Sequence, residues 1–121
     1  LGLEERVHFL GWKNDLAAYY QHADCFVLTS AFEGYGMVLI EAALANIPIV
    51  STNVGVVEEL PKDFVTIVSG SEYELASAIT TSLTVERKQA SRSAGAAFRE
   101  HLPNFKTYLG EYARLLKSCG T

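Results

Sequence analysis

Hydrophobic residues occur in four short runs within the first 68 residues, at positions 6–10, 24–29, 48–51 and 64–68. Each run is shorter than a typical helix and lies close to turn-forming residues such as Gly, Asn or Ser. Runs of this length, bounded by turns, are typical of buried strands. The pattern therefore predicts four strands.

Between and after these runs the hydrophobic spacing becomes helical, with Leu16, Tyr19 and Tyr20 on one predicted helix face. Strands stop near Thr84, and charged helical segments follow. The predicted helices cover residues 16–22, 37–45, a short segment ending at Pro61, the segment after Ser71, residues 85–101 and residues 105–117.

Alternating short strands and helices predict an α/β fold, with a Rossmann-like parallel sheet covered by helices on both faces. The 121 residues suit one domain, with an α/β core over residues 1–83 and C-terminal helices over 84–121. Ligands of such sheets bind beyond the carboxyl ends of the strands. Gly11, Ser30 and the turn at residues 53–55 follow predicted strands, so we expect them to share one rim of the sheet.

Composition and charge exclude some classes of function and indicate the cellular compartment. The net charge of -4 gives no electrostatic footprint for nucleic acid, so none is predicted as a partner. No apolar run is long enough to span a membrane. Cys25 lies in a predicted strand and Cys119 near the C-terminus, which favours free thiols in a reducing compartment. We therefore expect a cytoplasmic location.

A glycine-spaced loop joins the run at 24–29 to the helix predicted from Met37. Gly34 and Gly36 let the backbone approach a ligand closely. The N–H groups of Tyr35, Gly36, Met37 and Val38 would lie at the helix N-terminus, where a phosphate group is readily bound. This loop is the predicted ligand site.

Two carboxylates flank the loop. Glu33 and Glu41 are eight positions apart, which is roughly 12 Å if the whole stretch is helical. Carboxylates so placed, with a phosphate site between them, could hold hydroxyl groups at both ends of a sugar nucleotide. Alternatively, Glu33 stabilises the helix electrostatically and Glu41 is solvated on the outer helix face. The loop alone does not decide between the two interpretations.

The spacing Glu33 to Glu41 resembles the E-x7-E motif of the retaining glycosyltransferases with the two-domain GT-B fold, in particular family 4 (group 1). Other segments resemble this family in the same order, and together they cover roughly the first two thirds of the chain. They are Val7–Gly11, Tyr20–Ser30, Ala45–Thr52 and Gly55–Leu60.

The resemblance implies the C-terminal, donor-binding half of a GT-B fold and a role for each matched residue. Glu33 would contact the donor sugar and be the residue most closely tied to catalysis. The backbone from residues 35–38 would contact the distal phosphate, and Glu41 would accept hydrogen bonds from the ribose. The main chain of Leu10 and Gly11 would contact the base, and Ser30 would support the loop.

The implied reaction is retaining transfer of a sugar from a nucleotide-diphospho-sugar donor to an acceptor hydroxyl, without a metal or another cofactor. Electrostatic stabilisation of the departing diphosphate would be the main contribution of the protein. The acceptor would be a glycan or a lipid-linked sugar held by the N-terminal domain. A bacterial polysaccharide or lipopolysaccharide pathway is implied, with the whole protein peripheral at the inner face of the membrane.

In this family, residues corresponding to Leu1-Gly2-Leu3 close a helix within the C-terminal domain, so the resemblance implies a truncated domain. The N-terminal domain and the first two β-α units would be absent, with the Arg and Lys residues that stabilise the diphosphate. We therefore expect this piece alone to be inactive. Its sheet would have open edges, so residues 6–10 should pair beside the 24–29 strand, or copies should self-associate.

Two residues depart from the family pattern. Asn46 stands where a Gly is preferred, but Asn tolerates the left-handed conformation of a helix stop. Val56 replaces the second Gly of a pair and would be strained if that position needed a positive φ.

Other classes of function remain open at this stage. The chain could be a nucleotide-binding or interaction module without turnover, or a GT-B relative with epimerase or hydrolase chemistry. A phosphoacceptor signalling domain is a further fold-level alternative, but the clustered acidic residues and later Lys that it needs are not evident.

Overall fold

The computed structural model describes residues 2–101, except for the side chains of Ala96 and His101. The helix predicted at 105–117 lies outside the described residues. The elements are α1 (Ala17–His22), β1 (Phe26–Leu28), α2 (Met37–Leu44), β2 (Ile49–Thr52), a 3-10 turn (Val57–Glu59), β3 (Val65–Val68), α3 (Glu72–Ser82) and α4 (Val85–His101).

The three strands form one parallel sheet in the order β1-β2-β3. Phe26 pairs with Ile49, and Ile49 pairs in turn with Val65. Each connection between neighbouring parallel strands contains a helix or a 3-10 turn, as parallel pairing requires. The α/β class and three of the four predicted strands are therefore confirmed.

Helices cover both faces of the sheet, because consecutive residues of a strand point to opposite sides. Ile49 packs in a cluster with Leu39 of α2 and with Phe64. The next residue, Val50, packs on the other side with Ala78 of α3. The prediction of a doubly covered parallel sheet is confirmed.

Helix α4 packs on the same core. The ring of Phe98 meets the fully buried ring of Phe64 edge to face, with centroids 5.7 Å apart. Arg87 donates from Nη2 to the carbonyl of Val65 at 2.9 Å, and Ser91 donates to the carbonyl of Asp63 at 3.2 Å. The first of the two predicted C-terminal helices is thus fixed against the α/β core. Within residues 2–101 no helix is both long and apolar enough to cross a membrane.

The strand predicted at residues 6–10 is absent, and this prediction was wrong. The N–H groups of Arg6 and Val7 both bond to the carbonyl of Leu3, at 2.8 and 3.0 Å, which is a local turn. Phe9 is 97% exposed, and Trp12 is 91% exposed. Pairing beside β1 is also wrong, because no described segment pairs with these residues. A strand needs a neighbouring backbone to satisfy its N–H and C=O groups.

The two departures from the family pattern are accommodated differently. Asn46 has a φ of 62°, so the left-handed helix stop after α2 is confirmed. Its side chain fills space beside Gly95 of α4, where a Cβ would lie 1.6 Å from Asn46 Oδ1. Val56 has a φ of -81° and is 3% exposed, so this position needs no glycine and Val56 is an unstrained core residue.

Candidate functional site

The loop after β1 is anchored to the carboxyl end of the neighbouring strand. Thr52, the last residue of β2, donates its hydroxyl to the carbonyl of Ser30 at 2.6 Å. Ser30 in turn donates its hydroxyl to Oε1 of Glu33 at 2.8 Å. Two successive hydrogen bonds therefore connect the sheet to the carboxylate of Glu33, a half-buried residue.

A second anchor comes from the turn after β2. The N–H of Val56 donates to the carbonyl of Tyr35 at 2.8 Å. Gly55 has a φ of +55°, and a Cβ there would lie 2.5 Å from the Tyr35 carbonyl oxygen. Carbon and oxygen atoms that are not bonded do not tolerate such an approach, so only glycine lets the turn pack against the Tyr35–Gly36 peptide. The loop is thereby fixed at both ends.

Helix α2 begins directly after this anchored peptide. Gly36 is its N-cap, with a left-handed backbone (φ 79°, ψ 52°), and no side chain caps the helix. The N–H of Leu39 bonds to the carbonyl of Gly36 at 2.9 Å, whereas the N–H groups of Met37 and Val38 find no acceptor within residues 2–101. The first turn of α2 therefore presents two unpaired donors and the positive end of the helix dipole.

Helical rise does not describe the whole stretch from Glu33 to Glu41, because residues 33–36 form the predicted loop and are not helical. Gly34 lies in the open, and a Cβ added there would have no atom within 4 Å. Only the part from Met37 to Glu41 has helical rise. The position of Glu33 is set by Ser30 rather than by α2.

Glu41 lies on the second turn of α2 and is half-buried. Its Oε2 accepts a hydrogen bond from the hydroxyl of Tyr20 at 2.9 Å. Burial, followed by this hydrogen bond and the charge of Glu41, raises the pKa of Tyr20 to about 12. The phenol is therefore a neutral donor at physiological pH, and the picture of a Glu41 carboxylate solvated on the outer helix face does not describe this side chain.

Two adjoining cavities lie along the same side of α2. One, of about 660 Å³, is lined by Glu41 and Tyr20 together with the polar residues Lys13, Asn14 and Arg99.

The other cavity, of about 350 Å³, is more apolar. Its lining includes Leu10, Gly11, Val38 and Phe26. Tyr20 lines both cavities. The predicted base-contacting residues thus lie beside the helix N-terminus, although the strand expected to carry them is absent.

The predicted site residues form two groups. Ser30, Glu33 and Tyr35 are held at the carboxyl ends of β1 and β2 and line neither cavity. Val38 lines the apolar cavity, and Glu41 lines the larger one. In sequence, the uncapped start of α2 at Gly36 follows the first group and precedes the second. A ligand bound at the first turn of α2 could therefore contact residues of both groups.

Four residues near the site have no site role in the sequence-based prediction: Tyr20, Thr52 and the cations Lys13 and Arg99. The spacing of Tyr20 indicates only a helix face, and its hydroxyl at an otherwise apolar position is the one signal available. The close packing of Gly55 against residue 35 depends on tertiary contacts that spacing does not reveal.

Fold and site together define a Rossmann-like α/β domain with a candidate ligand site at the carboxyl ends of its parallel strands. The family model described as glycosyl transferases group 1 matches residues 1–98. The chain therefore belongs to the glycosyl transferases group 1 family.

Three similar proteins carry names from carbohydrate synthesis. The lipopolysaccharide core biosynthesis mannosyltransferase LpsB of Rhizobium meliloti (strain 1021) is 36% identical over 59 residues, which are 49% of this chain and 17% of that protein. The Vi polysaccharide biosynthesis protein VipC/TviE of Salmonella typhi is 40% identical over 55 residues, 46% of this chain and 10% of that protein. The mannosylfructose-phosphate synthase of Agrobacterium fabrum (strain C58) is 46% identical over 54 residues, 43% of this chain and 12% of that protein. The matched segments are thus a small part of each of these relatives.

Proposed function

We propose that this chain supplies the donor-binding part of a retaining glycosyltransferase and holds a nucleotide-diphospho-sugar. The observation that carries the proposal is the uncapped N-terminus of α2, with the half-buried residues Glu33 and Glu41 before and after it in the chain. The family membership supports transferase chemistry.

The diphosphate would bind at the first turn of α2. The N–H groups of Met37 and Val38 are free to donate, and no side chain caps this end of the helix. Backbone donors at a helix N-terminus are well suited to a phosphate group because the helix dipole adds to the hydrogen bonds. The rigid anchoring of residues 35 and 36 by Gly55 means that these donors are in place before the ligand arrives.

The nucleoside would lie along the two cavities. Glu41 would accept hydrogen bonds from the ribose hydroxyls in the larger cavity, where Lys13 and Arg99 add positive charge. The base would occupy the more apolar cavity beside Leu10, Gly11 and Val38.

The sugar would extend from the diphosphate to the other side of α2. Glu33 would accept hydrogen bonds from its hydroxyls, with the carboxylate oriented by Ser30 at 2.8 Å. In this position Glu33 is the residue of the chain that most directly affects the reacting sugar. Neither a metal nor another cofactor is used in this scheme.

Transfer itself would need residues beyond those that hold the donor. We propose an acceptor glycan or lipid-linked sugar bound by a further domain, since the matched segments span only 10–17% of the three relatives above. The names of the first two relatives favour a polysaccharide or lipopolysaccharide pathway for the whole protein. We further propose that the whole protein is peripheral at the inner face of the membrane. The 121-residue chain alone is expected to bind donor without transferring sugar.

A binding titration tests this proposal. The chain is titrated by calorimetry with UDP, GDP and ADP, and with a common sugar conjugate of each. We expect one base to be selected. Glu41→Gln should weaken the selected nucleotide and its sugar conjugate alike, by about tenfold for a lost hydrogen bond to a charged group.

Glu33→Gln should weaken only the sugar conjugate, because the free nucleotide has no sugar for Glu33 to contact. Glu86→Gln, an equal change of charge in the first turn of α4, is the matched control and should leave both affinities unchanged. Absence of binding to all six ligands, or equal effects of the three variants, would contradict the proposal.

A further inference from the structure

We infer that Tyr20 is a positioning residue that fixes the Glu41 carboxylate for recognition of ribose hydroxyls. The inference rests on the proposed function, since it assigns Tyr20 a part in the same site. It concerns a contact between residues 21 positions apart, from α1 to α2.

The geometry leaves one carboxylate oxygen for a ligand. The Tyr20 hydroxyl occupies Oε2 of Glu41 at 2.9 Å, and within residues 2–101 no group donates to Oε1. A carboxylate oxygen has two lone pairs, so Oε1 alone can accept from two neighbouring hydroxyls. The vicinal hydroxyls of a ribose present such a pair of donors.

The ring of Tyr20 is itself held in place. It packs against Phe26 of β1 with ring centroids 5.8 Å apart, and it is in contact with the buried core. Because the ring is packed against the sheet, the Tyr20 hydroxyl is held in place and restricts the flexible Glu41 side chain before a ligand binds. Preorganisation of this kind raises affinity because less conformational freedom is lost on binding.

Tyr20 also lies where the two cavities adjoin, since it lines both. A nucleoside spanning them would therefore pass directly over the Tyr20–Glu41 pair. The pair would recognise the hydroxyls and not the base, so its effect should depend on the sugar of the nucleotide.

The test compares Tyr20→Phe with Tyr19→Phe. Both changes remove one phenolic hydroxyl from α1, and both residues line the apolar cavity, but the hydroxyl bonded to Glu41 is that of Tyr20. The nucleoside diphosphate selected among UDP, GDP and ADP is titrated alongside its 2′,3′-dideoxy counterpart. Tyr20→Phe should weaken the ribonucleotide about three- to tenfold and leave the dideoxynucleotide unchanged.

A double-mutant cycle sharpens the result. In Glu41→Gln, the additional change Tyr20→Phe should have little further effect on ribonucleotide binding, because the two residues act as one unit. A merely structural Tyr20 would instead weaken both nucleotides equally.

The outcomes separate the two proposals. Equal weakening of both nucleotides, unchanged binding, or tighter binding in Tyr20→Phe would overturn the inference while leaving the proposed function standing. If the unaltered chain binds none of the three ribonucleotides, or binds one no better than its dideoxy form, the ribose site at Glu41 fails and the inference fails with it.

Discussion

The loop at residues 30–36 and the segment at residues 2–12 both carry a family-like sequence, yet only the loop is built into the fold. Thr52 and Val56 hydrogen-bond to the loop backbone at 2.6 and 2.8 Å, and Gly55 packs closely against the carbonyl of Tyr35. In the N-terminal segment, the apolar side chains of Phe9 and Trp12 are more than 90% exposed.

A sequence pattern thus becomes structure only where its partners are present. The partners of the loop are the neighbouring strand and turn of the same sheet. Residues 6–10 have no neighbouring strand among the described residues. The N–H groups of Arg6 and Val7 bond instead to the carbonyl of Leu3 in a local turn, and residues 8–10 form no regular element. A turn forms from residues that are adjacent in sequence, whereas a strand depends on partner strands from other parts of the chain.

The largest expected effect is a difference in stability between substitutions of a buried and of an exposed phenylalanine. Phe64→Ala should lower the free energy of unfolding by about 3–5 kcal/mol, because Phe64 is fully buried against α2 and α4. Phe9→Ala should change it by less than about 0.5 kcal/mol, since the ring is exposed. Urea denaturation of both variants measures the difference. A similar loss in the two variants would show that the N-terminal segment belongs to the core.

The next effect contrasts two glycines. Gly55→Ala should cost about 2–3 kcal/mol, because a Cβ would clash with the Tyr35 carbonyl at a φ of +55°. Gly34→Ala meets no atom within 4 Å and serves as the matched control for stability. Thermal unfolding compares the two. If Gly55→Ala were as stable as Gly34→Ala, the proposed anchoring of residues 35 and 36 would be wrong.

A smaller effect concerns the bond between β2 and the loop. Thr52→Val removes the hydroxyl that donates to the carbonyl of Ser30, a half-buried residue. Because this carbonyl then has one hydrogen-bond partner fewer, the free energy of unfolding should fall by about 1 kcal/mol. Thr29→Val, the same change at an exposed position next to the loop, is the control. Chemical denaturation measures both, and equal stability would remove Thr52 from the account of how the loop is held.

The smallest effect appears only at high pH. The pKa of Tyr20 is raised to about 12 from an ordinary value near 10. A group whose pKa is raised in the folded state contributes stability that is complete below the unfolded pKa and is lost as the pH rises through the folded pKa. Stability from Tyr20 should therefore decline between about pH 10 and 12.

Unfolding measured across this range should show a steeper loss in the unaltered chain than in Tyr20→Phe, with Tyr19→Phe behaving like the unaltered chain. Glu41→Gln should lower the pKa of Tyr20, because the hydrogen bond and the charge of Glu41 both raise it. An unchanged Tyr20 pKa in that variant, followed by NMR of the ring, would contradict the described pairing.

Much of the fold could be predicted because its signals are local. The apolar runs of β1, β2 and β3 and the Ala- and Leu-rich α2 are each evident from their own residues. The left-handed stop at Asn46 follows from its residue type. The strand at 6–10 could not be excluded, because its failure depends on a neighbour that no local pattern describes.

The site was predictable in part for the same reason. The loop residues follow one another in the chain, so spacing is enough to group them. The contact of Tyr20 with Glu41 joins two elements across 21 residues, and the packing of Gly55 on residue 35 depends on how β2 lies beside β1. Such contacts are visible only after folding.

A donor site at the start of α2 can be tested by backbone amide NMR of the chain. The chain is titrated with the selected nucleoside diphosphate and, separately, with inorganic diphosphate. We predict that both ligands shift the amides of Gly36, Met37 and Val38, and that only the nucleotide shifts those around Tyr20 and Glu41. Shifts confined instead to the separate cavity between β3 and α3, which is lined by Ile67 and Tyr73, would contradict the account.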